Sequence, residues 1–532
     1  MRSGIRRSLW VALGRWASRR AVVVVACGLA TLTACFLIDI VRGHEVLPEV
    51  HDEQAYLLAG DTFAHGRLTN PPHPLWRSLE TFHVLQHPTY QAKYPPGQGL
   101  FLALGVALSG RALVGVWISA ALFVSALCWM LQGWFRARWA LIGTLVGAAT
   151  VVLGGTPLIG GVPGYWSQSY WGGAVAALGG ALLLGGLRRV VDQPRWVAGA
   201  ALGAGASILA MTRPYEGLLL SVPAAVLLAA WLLASRRHSL GTKLVQVVLP
   251  TATVLAIGLG WLMFYNWRVT GSAIQLPYLI YREQYQVLPI WLWQTVRPEP
   301  AGLNFEMLQY ARLELAAGEA LSRPGERIAD VYRMLRFEAG PLLAPLMILA
   351  LPWVVRRRWM LFAAGTAVFV LLGMWLSSYF EFHYHSPAAP LTLILATLAL
   401  RRLSLWRRGR GGILVCAVIL FTILNTGREW IVFARTPPRL LEHWASSRQN
   451  VNEALVSKGG LHVVFVRYGP QHNPHMEVVY NGADVDGSKV VWVRALDADQ
   501  NAQVLTHYKD RTAWLMTIDD DMGLGKMSPW PR

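Results

Sequence analysis

Long apolar stretches recur along most of the chain, separated by short polar breaks, and the pattern stops near residue 430. A helix needs about 20 apolar residues to cross the hydrocarbon core, and somewhat shorter stretches are tolerated. On that criterion the sequence predicts spans over 21–41, 112–132, 139–158, 171–187, 196–212, 217–234, 244–265, 341–355, 359–379, 387–400 and 412–428. A further stretch, 97–110, is short and glycine-rich and predicts a helix lying in the outer interface. The polar segments 42–96, 266–340, 379–387 and 430–532 then fall on one side. The last of these changes character. A helical pattern over 439–457 precedes apolar runs at 461–466, 489–493 and 513–516, with another helical pattern at 498–508. Short apolar runs alternating with helices predict a small α/β unit with parallel strands.

Composition agrees with this reading, because only 15% of the 532 residues are charged against about 25% in soluble domains. The net charge of +18 does not indicate nucleic-acid binding. The arginines sit in short runs bordering apolar stretches, among them Arg19-Arg20, Arg188-Arg189, Arg236-Arg237, Arg356-Arg357-Arg358 and Arg401-Arg402. With the N-terminus inside, every such run falls on the cytoplasmic side, as the positive-inside rule requires. Counting 97–110 as a span would invert all later loops. The first span is long and lacks a small-residue cleavage site, so it reads as a helix that is retained. The four cysteines, Cys27, Cys35, Cys128 and Cys416, all lie in expected spans and offer neither a disulfide framework nor a zinc spacing.

The expected organisation is a cytoplasmic N-terminus (1–20), a membrane domain (21–429) with outer loops 42–111 and 266–340, and an α/β domain (430–532) on the outer face. Candidate chemistry gathers in the outer segments. Asp52 and Glu53 follow the first span, and Asp52 is the candidate general base. If this segment is helical, Glu53 points about 100° away. Both acids could equally cap a loop helix, or hold a divalent ion.

Lys93 precedes Tyr94-Pro95-Pro96, which predicts an extended step, and its ammonium can meet phosphate. Arg213, in Met211-Thr212-Arg213-Pro214-Tyr215-Glu216-Gly217, lies between two spans with almost no linker. It is either a second phosphate ligand or the partner of Glu216. Tyr165 and Trp166 stand in a short aromatic loop suited to stacking on a sugar or to anchoring in the interface. Arg268 and the pair His383-Tyr384 close two further spans among interfacial aromatics. His383 and His385 alternate in a way that could bind metal, without an identifiable third ligand. His83 belongs to an irregular set with His73 and His87. In the tail, 472–477 and Tyr480–Asp486 carry polar clusters whose role the sequence does not reveal.

On its topology, the Asp-Glu of the first loop, the Lys-x-Pro-Pro step and the aromatic turn at His383-Tyr384, the chain resembles the GT-C glycosyltransferases. Within that superfamily it is similar to the bacterial protein O-mannosyltransferases and the lipid A aminoarabinose transferases. Uncharacterised bacterial members share stretches like 93–99, 169–176, 213–217, 265–271 and 480–486. The resemblance implies a polytopic GT-C fold in the bacterial inner membrane and a polyprenyl-phosphate sugar donor. It further implies inverting transfer on the outer face to a protein, lipid or polysaccharide acceptor. By that carry-over Asp52 is the acceptor-activating acid and Lys93 lies near the donor phosphate. The family's lysine usually stands directly before proline, whereas Tyr94 intervenes here. A flippase or a non-catalytic scaffold is the alternative, although the paired repeats of transporters are not apparent.

Overall fold

The computed structural model describes residues 20–43, 45–154, 163–407, 410–435, 440–470, 472–518 and 525–531. The basic segment 1–19 and the end of the expected span 139–158 lie outside them. Within the described residues each of the eleven expected spans overlaps helix, although 341–355 is split into two short pieces. The helical elements begin with α1 (Arg20–Arg42), α2 (His51–Ala64) and the short α3 (Trp76–Leu79), followed by α4 (Gly97–Ser109) and α5 (Ala112–Trp134). Next come α6 (Ala137–Gly147), which runs on into a wider turn at Ala148–Val152, then α7 (Gly173–Asp192), α8 (Trp196–Thr212), α9 (Pro214–Ala234) and α10 (Leu240–Thr270). The second long loop holds α11 (Pro277–Tyr285), α12 (Phe305–Leu321) and α13 (Pro324–Ala339). Closing the domain are α14 (Leu343–Leu349), α15 (Leu351–Val354), α16 (Arg358–Trp375), α17 (Ala389–Leu403) and α18 (Arg410–Arg435).

Among the described residues seven helices are long and apolar enough to cross a membrane: α1, α5, α7, α9, α10, α16 and α18. Shorter apolar helices, α4, α6 with its extension and α8, accompany them. Leu29, Val226, Ile257 and Leu372 on four of the seven are 60 to 67% exposed. Large apolar side chains displayed on successive helices need lipid around them. The chain is a multi-pass membrane protein.

Helix α4 does not stand apart from the helical body. It is wedged between α2 and α5, where its Gly105 meets Gly115 so closely that a Cβ on Gly105 would come within 2.3 Å of the Gly115 nitrogen. Small residues let backbones approach in this way, and the contact fixes the height of the loop that precedes α4. Gly110, at φ +75°, ends the helix in a left-handed turn.

The tail is built as a sheet with one helix, α19 (Leu440–Lys458), before it and one, α20 (Ala498–His507), within it. Strands β3 (His462–Tyr468), β4 (Val490–Arg494), β5 (Thr512–Ile518) and β6 (Lys526–Pro529) follow a hairpin, β1 (Val84–Leu85) with β2 (Gln91–Ala92), in the first loop. The sheet order is β4-β3-β5-β6. β3 pairs parallel with both neighbours, Val463 opposite Val491 and Ala513, and β6 closes the edge antiparallel. The sequence pattern did not predict β6, because Lys-Met-Ser-Pro is polar and ends in proline, a composition suited to an edge.

Both faces of this sheet are buried, as the continuous apolar runs require. Val464, Val466, Trp492 and Met516 face Trp444 and Leu455 of α19. Val463, Phe465, Val491 and Val493 pack instead against Ala55, Leu58, Leu79, Val84 and Ala92 of the first loop. Loop and tail therefore share one hydrophobic core. The otherwise unexplained segment Tyr480–Asp486 lies at this seam. Tyr90 Oη donates to the Asn481 carbonyl at 3.0 Å, the Ala483 amide donates to Asp61 Oδ2 at 2.7 Å, and Asp486 Oδ1 lies 3.1 Å from His73 Nε2.

Candidate active site

Val50 is extended (φ −140°) and α2 begins at His51. Glu53 reaches back from the third helical position and accepts from the amides of Glu49 at 2.7 Å and Val50 at 3.3 Å, half of a capping box. Its other oxygen accepts from the Tyr170 amide at 2.7 Å. Glu53 is thus held by three amides and lies outside the main cavity. Because neighbours on a helix diverge by about 100°, Asp52 points away from Glu53 and lines that cavity.

The hairpin delivers the next groups. Pairing of β1 with β2 places Lys93 beside His83, and the Lys93 amide donates to the His83 carbonyl at 2.9 Å. His83 has φ +62°, a left-handed conformation that costs a non-glycine residue about 1–2 kcal/mol. Tyr281 Oη holds it there by accepting from its amide at 2.9 Å. This turn aims the imidazole at Asp52, with Nε2 3.5 Å from Oδ2. The Lys93-Tyr94 step is a bend. It points Tyr94 Oη at Asp52 Oδ1, to which it donates, and leaves Lys93 Nζ 4.6 Å from the centre of the Tyr281 ring.

Two more elements and the tail complete the walls. Tyr310 and Glu314 come from α12. Glu381, His383 and Tyr384 come from the turn before α17. Asn473 and His475 come from the tail. The cavity measures about 560 Å³. Its polar end gathers Asp52, His51, His83 and Lys93, and its flank is apolar, with Leu288, Leu313, Ala317 and Leu321. His475 Nδ1 lies 3.1 Å from His51 Nε2, and the two rings stack at 5.2 Å.

Of the residues singled out in the sequence, Asp52, Lys93, His383 and Tyr384 line this cavity. Arg213 stands behind it, its guanidinium 4.4 Å from the centre of the Tyr384 ring. Trp166 is 1% exposed and packs between Phe123 and Phe337, so it is core and offers no face to a sugar. Tyr165 is a layer back, against Trp171 and His383. Arg268 is exposed beside Trp267, away from the cavity. His385 turns from His383 and sits 2.8 Å from Glu338 inside the helical domain, so these two histidines share no ion. His51, Tyr310, Glu314, Glu381 and His475 are the groups that sequence reasoning passed over. The polar cluster at 472–477 was the one available signal for His475.

Burial sets most of the electrostatics here. It raises a carboxyl and lowers an imidazole or ammonium. Burial would raise Asp52, yet the flanking imidazoles of His83 and His51 hold its carboxyl well below the usual range. Burial, with the Lys93 charge, pushes His83 down to about 3, and burial with Arg213 does the same to His383. Lys93 itself is lowered by burial, opposed by Glu314 and Asp52. Burial raises Glu314, and it pushes Glu53 up to about 7 despite its amide donors. The polar end therefore carries the ionised Asp52 carboxylate beside the neutral His83 ring and the hydroxyls of Tyr94 and Tyr310, with the Lys93 amine near it. That set can accept a proton and can balance an arriving anion.

No protein-family model matches the sequence, and no curated protein matches it. Solved structures do. The chain is similar to the oligosaccharyltransferase of Archaeoglobus fulgidus, solved with a tethered acceptor peptide containing the NVT sequon. The two are 12% identical with a TM-score of 0.50, over 92% of this chain and 68% of that one. It is also similar to ArnT from Cupriavidus metallidurans bound to undecaprenyl phosphate, at 16% identity and a TM-score of 0.46, over 92% of each chain. The fold is that of the GT-C glycosyltransferases. At such low identity the likeness establishes architecture alone, and the chemistry has to be argued from the cavity.

Proposed function

We propose that the protein is a glycosyltransferase that moves a sugar from a polyprenyl-phosphate carrier to a hydroxyl acceptor, with inversion, at the outer face of the bacterial inner membrane. The observation that carries this reading is the cavity itself: a carboxylate and a lysine at one end, an apolar flank beside them. A lipid-linked phosphate sugar is apolar, anionic and hydroxylated in turn, and this lining offers a counterpart to each part.

In the proposed step Asp52 takes the acceptor proton while the acceptor oxygen attacks the anomeric carbon from the face opposite the phosphate. The new carbon–oxygen bond forms as the bond to the phosphate oxygen breaks, and its electron pair leaves on the phosphate. Lys93 lies where it can offset that growing charge, aided by Arg213 through Tyr384. Asp52 acting as a base rather than as a nucleophile corresponds to a single displacement and hence inversion. Glu53, engaged by three amides, is a positioning residue that fixes the start of α2 and so the direction of Asp52.

The test is transfer of label from polyprenyl-phosphate sugars to an outer-envelope extract by the purified protein in lipid. Asp52→Asn keeps the shape and removes the base, so turnover should fall by about 10²–10⁴ while donor binding persists. Equal turnover by both proteins would refute Asp52 as base. Absence of transfer across a full donor panel would refute the transferase reading.

A further inference from the structure

At the end of the helical domain remote from the cavity, three helix ends bring arginines together. Helix α16 finishes at Trp375, beside Ser378 and Tyr379 of the cavity wall. Its 18 residues put its start about 27 Å away, close to the thickness of a hydrocarbon core. Arg356 and Arg357 precede that start, Arg136 and Arg138 stand at the start of α6, and Arg401 and Arg402 lie in the last turn of α17. Helix α17 packs against both α6 and α16, so its two arginines meet both other pairs. The charges acting on Arg401 are those of Arg357, Arg136 and Arg138, and those acting on Arg402 are Arg357, Arg401 and Arg356.

Every one of these neighbours has the same sign. Among the described residues none of the six has a carboxylate partner, whereas Arg188, over the neighbouring Trp359 ring, pairs with Asp192. Arg402 Nε is buried without a hydrogen-bond acceptor, and its guanidinium lies 5.4 Å from the centre of the Trp353 ring. The helix ends add to the repulsion. Both α6 and α16 begin here with no acid in the first turn, and the N-terminus of a helix is its positive end. Arginine is the wrong charge to place there, and an anion is the right one. The positive-inside rule accounts for charge in each inner loop, but it does not bring three loops to one point. Arg236 and Arg237 satisfy it while exposed in a loop of their own.

We propose that these six arginines form a binding site for an inner-leaflet phospholipid that carries two phosphates, a lipid of the cardiolipin class. The two lobes of the cluster select such a headgroup. Arg136 and Arg138 face Arg401, while Arg356 and Arg357 face Arg402. Each lobe thus offers guanidinium forks and one helix N-terminus to one phosphate. Trp353 and Trp359 are half-buried beside the arginines and set the site at headgroup depth. Basic pockets between helices at the inner face suit headgroups of this kind. The bound lipid ties α6, α16 and α17 together at the end opposite the cavity. The site shares no residue with the proposed transfer and does not rest on it.

The test uses full-length protein, delipidated in neutral detergent. Cardiolipin, phosphatidylglycerol or phosphatidylethanolamine is added in turn, and bound lipid is counted by native mass spectrometry. The wild type should retain one cardiolipin at least about 10-fold more tightly than phosphatidylglycerol, because the second phosphate engages further guanidiniums. Arg357→Gln should weaken retention about 5-fold, and Arg357→Gln/Arg401→Gln/Arg402→Gln about 100-fold. The control Arg236→Gln/Arg237→Gln removes charge from the same face and should leave retention unchanged. Cardiolipin should also raise the unfolding midpoint of the wild type, a readout that holds even if a variant fails to fold. Inorganic pyrophosphate should not raise it, and a shift equal to that with cardiolipin would assign the arginines to a soluble anion instead. No preference for cardiolipin over phosphatidylglycerol, an unmoved wild-type midpoint, or equal losses in the control and the triple variant would each overturn the proposal.

Discussion

Arg494 is a sharp place to test how the tail is held, because it is buried at 2% exposure and ties three segments together. Its Nη2 binds Glu477 Oε2, its Nε donates to the Glu80 carbonyl, and its guanidinium lies 5.9 Å from the centre of the Phe82 ring. Replacing it by Met keeps most of the volume and removes both bonds. The bond to the charged Glu477 contributes about 1.5–3 kcal/mol and the bond to the carbonyl about 1 kcal/mol. Glu477 would then be a buried carboxylate without its cation. It would still accept from Tyr468 Oη and from the Val479 amide. Breaking a buried pair by removing one partner costs about 3–5 kcal/mol, and these two remaining donors set the expectation at the lower end, about 3 kcal/mol. The double variant Arg494→Met/Glu477→Gln removes both charges and should be about 2 kcal/mol less destabilised than the sum of the single variants. Hydrogen exchange at the β3 and β4 amides measures the opening free energy of the tail sheet directly. A single-variant loss below about 1 kcal/mol, or strict additivity in the cycle, would show that the pair does not hold this seam.

Two other outcomes follow from the cavity walls. Burial, with Asp330 nearby and Arg333 opposing, pushes Glu381 from 4.5 to about 7, so the fold resists its ionisation. Its contribution is whole below about pH 4.5 and declines as pH rises through 7, by at most about 3 kcal/mol. Glu381→Gln should flatten that part of the stability profile, and parallel unfolding curves for wild type and variant over pH 4.5–8 would contradict the assignment. Lys93→Ala should raise the Michaelis constant for the lipid donor about 10–100-fold, the equivalent of one charge-assisted contact of about 1.5–3 kcal/mol, with a smaller effect on turnover. An unchanged Michaelis constant would remove Lys93 from the donor site.

The membrane architecture was legible because it rests on a one-dimensional signal. Apolar length and arginine position repeat along the chain, and each expected span overlaps helix among the described residues, seven of those helices being long and apolar enough to cross. The strands of the tail were legible for the same reason, as continuous runs such as Leu461–Val466. The site was only half legible. Asp52 and Lys93 stood out as ionisable groups at the margin of apolar stretches. His51, His83 and His475 are separated by 32 and 392 residues and meet only because the tail sheet and the first loop share a core. Nothing local to 472–477 reports that Val463 and Phe465 pack on Leu58 and Val84. Trp166 misled for the complementary reason. An aromatic in a short loop between spans has the composition of an interface, and its burial by Phe123 and Phe337 is set by elements elsewhere in the chain.

Tyr94, the residue that interrupts the lysine–proline step, accounts for its own presence once the cavity is in view. With proline directly after lysine, no hydroxyl would stand between the ammonium and α4. Here the Lys93-Tyr94 bend sends the tyrosine back toward α2, where its ring stacks on Tyr56 at 4.4 Å and its hydroxyl donates to Asp52 Oδ1. A hydrogen bond to the charged form of a carboxylate favours that form. The extra residue thus orients Asp52 and helps keep it ionised, leaving Oδ2 toward His51 and His83. Tyr94→Phe separates these roles from packing, because the ring stays and only the donor goes. It should leave the fold intact and shift the acidic limb of the transfer profile upward in pH, whereas a profile identical to wild type would assign Tyr94 to packing alone.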